Sequence, residues 1–370
     1  MNLNFLKNLN YPILIIVLVL ISLGLLVIFS VSYGHGDLDL GNFKKQAIFA
    51  VMGISAMFLM SFFDYRFLKN YTAILYFVGI TLLVAVLLIG DSSRGMSGWI
   101  NLGLFHFQPS ELMKIILIIV LARYFSFFSN KLFELKKIII SGICVGIPVV
   151  LTLMQPDLGS AAIMVFIWLG MLLAAGIKTS HLLAIFLAGI LIFAGGWALV
   201  LEDCQKDRIT TFLNPQVDPL GSGYNVIQSV IAVGSGGLLG KGLGHGSQSQ
   251  LNFLPEKHTD FIFAVLAEEM GLVGVAFLLI LFTVLISKLI NIALLTKDNF
   301  GKMLVTGIVV LLFSHIAINI GMNMGIAPVT GIPLPFISYG GSFLISILIM
   351  LGIVQSVAMK GVKYKLKEEE

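Results

Sequence analysis

Asp260 is the residue in this sequence whose type and position most favour chemistry. It follows Glu256, Lys257 and His258 at the end of a long polar segment and opens an apolar run. A carboxylate there can accept a proton from a hydroxyl. It can equally cap a helix, because Asp is preferred at the N-cap and suits the positive end of the helix dipole. Glu268, two turns further on the same predicted face, indicates a hydrated cavity wall.

A second set of charged residues falls within or beside apolar runs. Glu111 and Lys114 are three residues apart, which brings their side chains into contact range on a helix. Charge inside a bilayer costs roughly 2.5–3.5 kcal/mol per residue, so each such residue needs a reason. The two can form a structural ion pair, line a polar cavity, or do both. Asp157 can cap a helix in a tight outer turn or belong to a cavity wall.

Two further polar features have simpler interpretations. His315 and Asn319, four residues apart, are predicted to make interhelical hydrogen bonds rather than to hold a ligand. The glycine stretch 234–242 does not match a Walker motif, because Ser235 and Gly242 stand where Gly and Ser or Thr are required. We expect a flexible loop there, or backbone amides beside an anionic group.

The segment 328–342 carries no charge and is rich in proline and glycine. These residues break helices, so the segment is predicted to be non-helical backbone close to the membrane. Such backbone is tolerated there only when it is buried in protein or lines a cavity. We therefore expect a re-entrant element packed on the site.

The elements that position these residues follow from composition. Hydrophobic residues make up 58% of the chain and charged residues 11%. Soluble domains carry about 25% charged residues, so this chain has too few to cover a water-exposed surface of ordinary size. We predict an all-α polytopic membrane protein, a single domain over 1–370, with about ten transmembrane helices. The predicted spans are 11–31, 45–62, 71–90, 109–128, 137–154, 158–176, 180–200, 261–287, 301–323 and 341–359.

Lysine and arginine are concentrated in the segments that share a side with the N-terminus, which predicts that both termini are cytoplasmic. The segment 201–260, between spans seven and eight, is then a large extracytoplasmic loop. Ile227, Val230, Ile231 and Leu238 give it apolar faces suited to a helix at the membrane interface.

Other classes of function find no support in the residues. No basic cluster with interleaved aromatic residues is present, so nucleic-acid binding is not expected. Cys144 and Cys204 are predicted to form neither a disulfide nor a metal site.

Several blocks in order along the chain carry a resemblance to a known family. They are FQPSE (107–111), QPDLG (155–159), GYNVIQS (223–229), GHGSQSQ (244–250), FLPEKHTDF (253–261) and the proline-rich segment through Ser342. Together they resemble the polytopic cell-wall polymerases that serve bacterial shape, elongation, division and sporulation. The stretch 223–260 is more similar to the elongation member than to the division member.

The resemblance implies an inverting glycosyltransferase that polymerises lipid II, a polyprenyl pyrophosphate-linked disaccharide-peptide. It assigns the essential carboxylate to Asp260, which would act as the general base that accepts the proton of the attacking hydroxyl. The pyrophosphate leaving group requires positive charge or a metal. A divalent cation, Mg²⁺ or Mn²⁺, is an open expectation, with Asp260 as its only suggested ligand. The residues expected to bind substrate are Glu111, Lys114, Asp157, Arg94, Arg208, Lys257, His258, Gln228 and Ser338.

One position departs from the family pattern. Members usually have Arg just before the position of Trp99, and this chain has Gly98. Arg94, four residues earlier, is the residue that could substitute.

The resemblance also implies a setting and partners. The setting is the bacterial cytoplasmic membrane, and the partners are a class B penicillin-binding protein transpeptidase and the elongation machinery. The chain has no penicillin-binding motifs of its own. Two alternatives remain open: a flippase for lipid II, and a non-catalytic scaffold that positions the transpeptidase.

Overall fold

The computed structural model describes residues 9–32, 40–93, 96–101, 106–127, 134–199, 206, 210–217, 221, 223–251 and 253–361. The described part is mostly helical. The helices are α1 (Tyr11–Ser32), α2 (Gly41–Phe62), α3 (Arg66–Asn70), α4 (Thr72–Ile89), α5 (Pro109–Phe127), α6 (Leu135–Leu153), α7 (Leu158–Ala174), α8 (Thr179–Leu199), α9 (Tyr224–Ser235), α10 (Ser247–Gln250), α11 (Ile262–Leu295), α12 (Asn299–Asn323) and α13 (Gly341–Gly361).

Each apolar run that was predicted as a span coincides with one of these helices. Seven of the helices in the described residues are long and apolar enough to cross a membrane. Helix α5 fails that test because it carries Glu111, Lys114 and Arg123, and α7 fails it because it has 17 residues. The prediction of a polytopic all-α membrane protein is confirmed, and the count of ten spans stays a prediction.

A small antiparallel sheet precedes α5. Its strands are β1 (Asp91–Ser93), β2 (Met96–Asn101) and β3 (His106–Phe107), in the order β1-β2-β3. Asp91 is opposite Trp99, and Ile100 is opposite Phe107. The sheet was not predicted, because strands this short give no alternating hydrophobic pattern.

The core of the bundle is built around α5 and α12, which bury most of their length. Lys114 is among the largest side chains with almost no exposed surface. Helix α2 packs along α13, where Leu348 lies against Gly53 and Phe49 against Gly341. Helix α5 thus presents charged as well as apolar side chains to its neighbours, and the charged ones must find partners inside the protein.

Helix α11 is broken at Gly271, whose φ of 62° and ψ of −164° are not helical. The glycine stretch packs directly against this break. Its backbone pairs with the interrupted helix through Lys241 N to Glu268 O (3.0 Å), Gly242 N to Glu269 O (3.0 Å), Leu272 N to Gly237 O (3.0 Å) and Val273 N to Leu238 O (3.1 Å). These bonds satisfy backbone groups that the break would otherwise leave without hydrogen bonds. The expectation of a flexible loop at 234–242 is therefore wrong.

The long segment before α11 contains the helix that was predicted from its apolar faces. Helix α9 buries Val226, Ser229 and Ala232, while Val230 and Ile231 are exposed. Its buried face thus rests on the bundle, and its other face is directed outward.

Candidate active site

A cavity of about 570 Å³ brings together four of the charged residues singled out from the sequence, Asp260, Glu111, Lys114 and Asp157. Asp260 lies in its wall with Glu256, while Glu111 and Lys114 enter from α5 and Asp157 from the start of α7. The proline-rich segment supplies much of the remaining wall, which confirms that it packs on the site. Its lining residues are Val329, Thr330, Gly331, Ile332, Pro333, Tyr339, Gly340, Gly341 and Ser342.

Asp260 is held in place through its backbone. Helix α11 begins at Ile262, and its N-cap residue, Phe261, makes no side-chain capping bond. The interpretation of Asp260 as a helix cap is therefore wrong. The Asp260 carbonyl instead accepts hydrogen bonds from Asn319 Nδ2 (3.1 Å) and Asn323 Nδ2 (3.0 Å), both on α12.

The two residues before Asp260 are fixed in the same way by the proline-rich segment. Tyr339 N donates to the carbonyl of His258 at 2.8 Å, and Ser338 Oγ donates to that of Thr259 at 2.7 Å. Three consecutive carbonyls are thus bonded, which fixes the backbone that carries the Asp260 side chain. A Cβ built on Gly331 would lie 3.7 Å from Asp260 Oδ2, so the proline-rich segment closely faces the carboxylate.

Lys114 and Glu111 form a buried ion pair in the cavity wall. Lys114 Nζ donates to Glu111 Oε1 at 2.8 Å, and the residues are 1% and 5% exposed. The structural and cavity-lining interpretations are therefore both correct. His315 on α12 also lines the cavity, with Nε2 3.4 Å from Lys114 Nζ.

Asp157 likewise has both of its proposed roles. Its Oδ1 accepts from Ser160 N at 2.9 Å, which makes it the N-cap of α7. Its Oδ2 accepts from Gln108 Nε2 at 3.0 Å, and both of these side chains line the cavity.

Three of the other residues expected to bind substrate lie elsewhere. Ser338 is buried; its Oγ accepts from Leu334 N and donates to the Thr259 carbonyl, so it supports the backbone next to Asp260. Lys257 Nζ donates to the Ser249 carbonyl at 2.8 Å, and burial lowers the pKa of its ammonium. Gln228 lies half-buried on α9, and neither it nor Lys257 is among the residues that line the cavity.

Two of the remaining residues expected to bind substrate lie outside the described part of the chain, and His258 acts through its backbone. His258 contributes its carbonyl to the Tyr339 contact, as described above. Arg94 and Arg208, like Cys204, lie outside the described residues. Gly98 is buried in β2, where a Cβ would lie 3.7 Å from Gln155 Oε1.

Glu268 does not continue the acidic wall of the cavity, contrary to expectation. Its carboxylate accepts from Lys241 Nζ (2.8 Å), Gln248 N (2.9 Å) and Ser249 N (3.1 Å). Glu269 accepts from Ser30 Oγ, Gly244 N and Gln250 Nε2. Both acids thus tie the glycine stretch and α10 to the break in α11.

Sequence reasoning missed several residues that build the site. Asn323 and Gln46 position its backbone: Gln46 on α2 bonds the carbonyl of Ser338 (3.1 Å) and the amide of Gly340 (3.1 Å). Trp99 and Asn225 line the cavity. A signal existed for Asn323 and Gln46, since each is an amide inside an apolar run, where polar groups seek partners.

A metal would find carboxylates in the cavity, although no cluster is preformed in the part of the chain described. No group of three or more His, Cys, Asp and Glu residues there is placed to hold an ion. The expectation of a divalent cation with Asp260 as a ligand stays a prediction.

Fold and site together define a polytopic membrane protein with an internal charged cavity. A family model described as cell cycle protein, for FtsW, RodA and SpoVE, matches residues 11–363. Peptidoglycan glycosyltransferase MrdB of Escherichia coli K12 is 40% identical over 354 residues, which are 95% of this chain and 93% of that protein. Stage V sporulation protein E of Bacillus subtilis 168 is 40% identical over 319 residues, 85% of this chain and 86% of that protein.

Solved structures agree with this assignment. The rod shape determining protein RodA of Thermus thermophilus matches with a TM-score of 0.72 and 27% identity, covering 95% of this chain and 97% of that one. A chain from work on the structural coordination of polymerization and crosslinking by a peptidoglycan synthase complex matches with a TM-score of 0.80 and 31% identity. It covers 95% of this chain and 97% of its own. The chain belongs to the FtsW, RodA and SpoVE family, as the sequence motifs predicted.

Proposed function

We propose that this protein is a peptidoglycan glycosyltransferase that polymerises lipid II for cell elongation and rod shape. The observation that carries the proposal is the cavity in which Asp260 shares a wall with the buried Lys114–Glu111 pair. Membership of a family that includes a peptidoglycan glycosyltransferase at 40% identity supports the same reaction.

The chemistry assigns separate tasks to the carboxylate and the cation. A sugar hydroxyl of one substrate attacks the anomeric carbon of the other, and Asp260 accepts the hydroxyl proton as the new C–O bond forms. The bond to the polyprenyl pyrophosphate breaks at the same carbon, which inverts its configuration. Because the leaving group is already activated, a second carboxylic acid is not needed for its departure. Lys114 is placed to stabilise the negative charge that develops there.

A polymerisation assay with purified protein and lipid II tests the role of Asp260. We expect Asp260→Ala and the near-isosteric Asp260→Asn to lower the rate at least about 100-fold, because a general base contributes at least that factor. Asp64→Ala is the matched control: the Asp64 carboxylate accepts a local bond from Arg66 N between α2 and α3, and Asp64 is not among the residues that line the cavity. All variants should elute as the wild type does in size exclusion.

Other outcomes of this assay would contradict the proposal in different ways. Undiminished polymer from a folded Asp260→Ala variant would remove the base from the mechanism. Transbilayer movement of labelled lipid II in vesicles, with no polymer in any condition, would favour a flippase. Full rescue of cell shape by the Asp260→Ala variant would favour a scaffold.

The same assay addresses the cation. We propose that Mg²⁺ or Mn²⁺ assists the reaction beside Asp260, since Asp157, Glu111 and Glu256 make the cavity rich in carboxylates. Chelation should lower the wild-type rate, and adding back either ion should restore it. An unchanged rate after chelation would show that the protein's own cations are sufficient.

The proposed setting and partner follow from the family. The protein would work in the bacterial cytoplasmic membrane with both termini in the cytoplasm. It would associate with a class B penicillin-binding protein and the elongation machinery, in keeping with the synthase complex whose chain has the same fold. Co-purification of the two proteins, and a higher polymerisation rate in the complex, are the expected results.

A further inference from the structure

His315 connects the cation of the cavity to the proline-rich segment that faces Asp260. Lys114 Nζ lies 2.8 Å from Glu111 Oε1 and 3.4 Å from His315 Nε2. On the other side of the imidazole ring, Nδ1 lies 3.3 Å from the Pro333 carbonyl. The ring is 1% exposed and stacks on Phe343, with centroids 4.9 Å apart and an interplanar angle of 29°. It is therefore held on both edges and on one face.

These neighbours determine the state of the imidazole. A carbonyl oxygen can only accept a hydrogen bond, so Nδ1 must carry a proton. An ammonium can only donate, so Nε2 must be the acceptor. The neutral form with hydrogen on Nδ1 satisfies both contacts at once. An imidazolium would place its Nε2–H against the donors of Lys114.

The bond to Glu111 alone does not fix the orientation of the Lys114 ammonium. Lysine has a flexible four-carbon stem and a compact charge with three rotatable donors. Glu111 lies on the same helix as Lys114 and directs one donor, whereas His315 approaches from α12 and directs a second. The third donor is left for the cavity.

The second edge of the ring extends this constraint to Asp260. Pro333 follows Gly331 and Ile332, and the Ile332 carbonyl accepts from Asn319 Nδ2 at 2.7 Å. The same amide nitrogen binds the Asp260 carbonyl. His315 and Asn319 are one helical turn apart on α12. His315 contacts Lys114 and the proline-rich segment, and Asn319 contacts that segment and the Asp260 backbone, so α12 fixes the positions of all three relative to one another.

We propose that His315 is a positioning residue, which fixes the Lys114 ammonium relative to Asp260 by accepting at Nε2 and donating from Nδ1 to the Pro333 carbonyl. This proposal rests on the proposed glycosyltransferase function for its kinetic consequences. The contacts themselves do not depend on that function, and they can be tested separately.

Three substitutions separate the two edges of the ring. His315→Gln can place an amide oxygen near the Nε2 position and keep the acceptor for Lys114. His315→Asn is shorter, so it can keep a donor near the Nδ1 position for Pro333 but loses Lys114. His315→Leu loses both. His181→Asn on α8, outside the cavity lining, is the matched control.

In the lipid II assay we expect His315→Gln to retain kcat within about threefold. We expect His315→Asn to lose at least about tenfold, the lower bound for one hydrogen bond to a charged group. KM should change less than kcat, because Lys114 acts on charge that develops as the pyrophosphate leaves. In a Lys114→Met background, His315→Asn should have little further effect, since the two residues act as one unit. Equal kcat values for the Gln and Asn variants, or effects that multiply with Lys114→Met, would overturn the proposal.

A spectroscopic measurement keeps the test independent of activity. Nitrogen-15 NMR of histidine-labelled protein, with the His315 signals assigned by their loss in His315→Gln, should show a protonated Nδ1 and an unprotonated Nε2. The Nε2 signal should move in Lys114→Met. Hydrogen on Nε2, or no response to Lys114→Met, would refute the positioning role even if the wild type made polymer. The expected signals with no polymer would refute only the proposed function.

Discussion

The backbone of Asp260 is held by two amide side chains of α12. Its carbonyl is shared by Asn319 and Asn323, and Asn323 is itself fixed by Ser229, whose Oγ donates to the Asn323 carbonyl at 2.9 Å. Asn323 Oδ1 also accepts from Ala264 N in the first turn of α11. The amides of α12 thus connect α9, α11 and the proline-rich segment at one point. Such support keeps a catalytic group in place when the reacting molecules arrive.

Asn319→Asp tests this support with almost no change in side-chain size. Asn319 Nδ2 donates to the Ile332 carbonyl at 2.7 Å and to the Asp260 carbonyl at 3.1 Å, and the residue is fully buried. The substitution places an oxygen against both carbonyls, so we expect a loss of at least about 2 kcal/mol in stability. We also expect kcat for polymerisation to fall about tenfold or more, since small misplacements of reacting groups are costly.

Thermal unfolding in detergent and the polymerisation rate measure the two effects of Asn319→Asp. Ser55→Ala is the control, because Ser55 is exposed and bonds only the Val51 carbonyl of its own helix. It should change stability by less than about 0.5 kcal/mol. An Asn319→Asp variant with wild-type stability and rate would show that the carbonyl contacts do not position Asp260.

The residues of the site divide into those that sequence could predict and those that it could not. The Glu111–Lys114 contact and the Asp157 cap are local, so their spacing along one helix start predicts them. The contact of Lys114 with His315 joins residues 201 positions apart, and spacing carries no information on it. Asp260 was found through its chemistry and family motif, while its true backbone partners depend on packing between helices.

At the scale of elements, the break in α11 is the feature around which the glycine stretch and α10 pack. A Cβ on Gly240 would lie 2.2 Å from the Glu269 carbonyl oxygen, and one on Gly271 would lie 2.2 Å from Gly240 N. Both glycines also have positive φ, 79° and 62°. The two backbones therefore approach closely only because neither carries a side chain. Lys257 then ties the ordered segment to the Asp260 region through the Ser249 carbonyl.

Gly240→Ala should disrupt this approach. We expect it to destabilise the protein by more than about 1 kcal/mol, because alanine is strained at positive φ and its Cβ meets backbone that cannot move aside. Gly146→Ala in α6 is the matched control, since a Cβ there has no atom within 4 Å. That change should leave stability unaltered or raise it by about 0.5–1 kcal/mol. Similar melting temperatures for the two variants would contradict the packing described.

The ion pair of Lys241 and Glu268 closes the same element. The Glu268 side chain is fully buried, and that of Lys241 is 30% exposed. Lys241→Met should destabilise the protein by about 1–3 kcal/mol, because it leaves a buried carboxylate without its cation. Adding Glu268→Gln should recover part of that loss, because a neutral amide needs no cation and its single oxygen can still accept from Gln248 N or from Ser249 N.

A double-mutant cycle on thermal stability measures this coupling. An interaction energy of at least about 0.5 kcal/mol between the two positions is expected for residues in direct contact. Independent, additive losses would show that the ion pair contributes little and that the backbone donors alone hold Glu268. Glu268 was predicted to lie in the cavity wall because Asp260 and Glu268 were placed on one helix face. Helix α11 begins only at Ile262, and Lys241 and Ser249 bind the Glu268 carboxylate instead.

At the scale of the whole molecule, the bilayer explains why the helices were predictable. Backbone groups in hydrocarbon must be paired within each span, so long apolar runs become helices regardless of their neighbours. The predicted runs consequently fall on observed helices to within four residues at each end, except that α11 continues eight residues beyond its predicted end. How the helices pack depends on shape and on polar contacts, such as Gln46 with Ser338. Periodicity in one sequence does not contain that information.

Orientation in the membrane is the last prediction, and it comes from the distribution of positive charge alone. With both termini in the cytoplasm, the segment before α9 is outside and the connection between α5 and α6 is inside. Gln216, in the short 3₁₀ helix Pro215–Val217, and Lys136, in α6, are both exposed and suit cysteine labelling. Replacing Cys144 and Cys204 by serine removes the two native thiols.

In intact spheroplasts, a membrane-impermeant maleimide should label Gln216→Cys and leave Lys136→Cys unreacted. After permeabilisation both should react, which controls for accessibility. Labelling of Lys136→Cys alone in intact cells would invert the orientation and place the Asp260 cavity towards the cytoplasm. A cavity open to the cytoplasm could not bind a lipid-linked substrate at the outer face of the membrane, so that result would contradict the proposed polymerase.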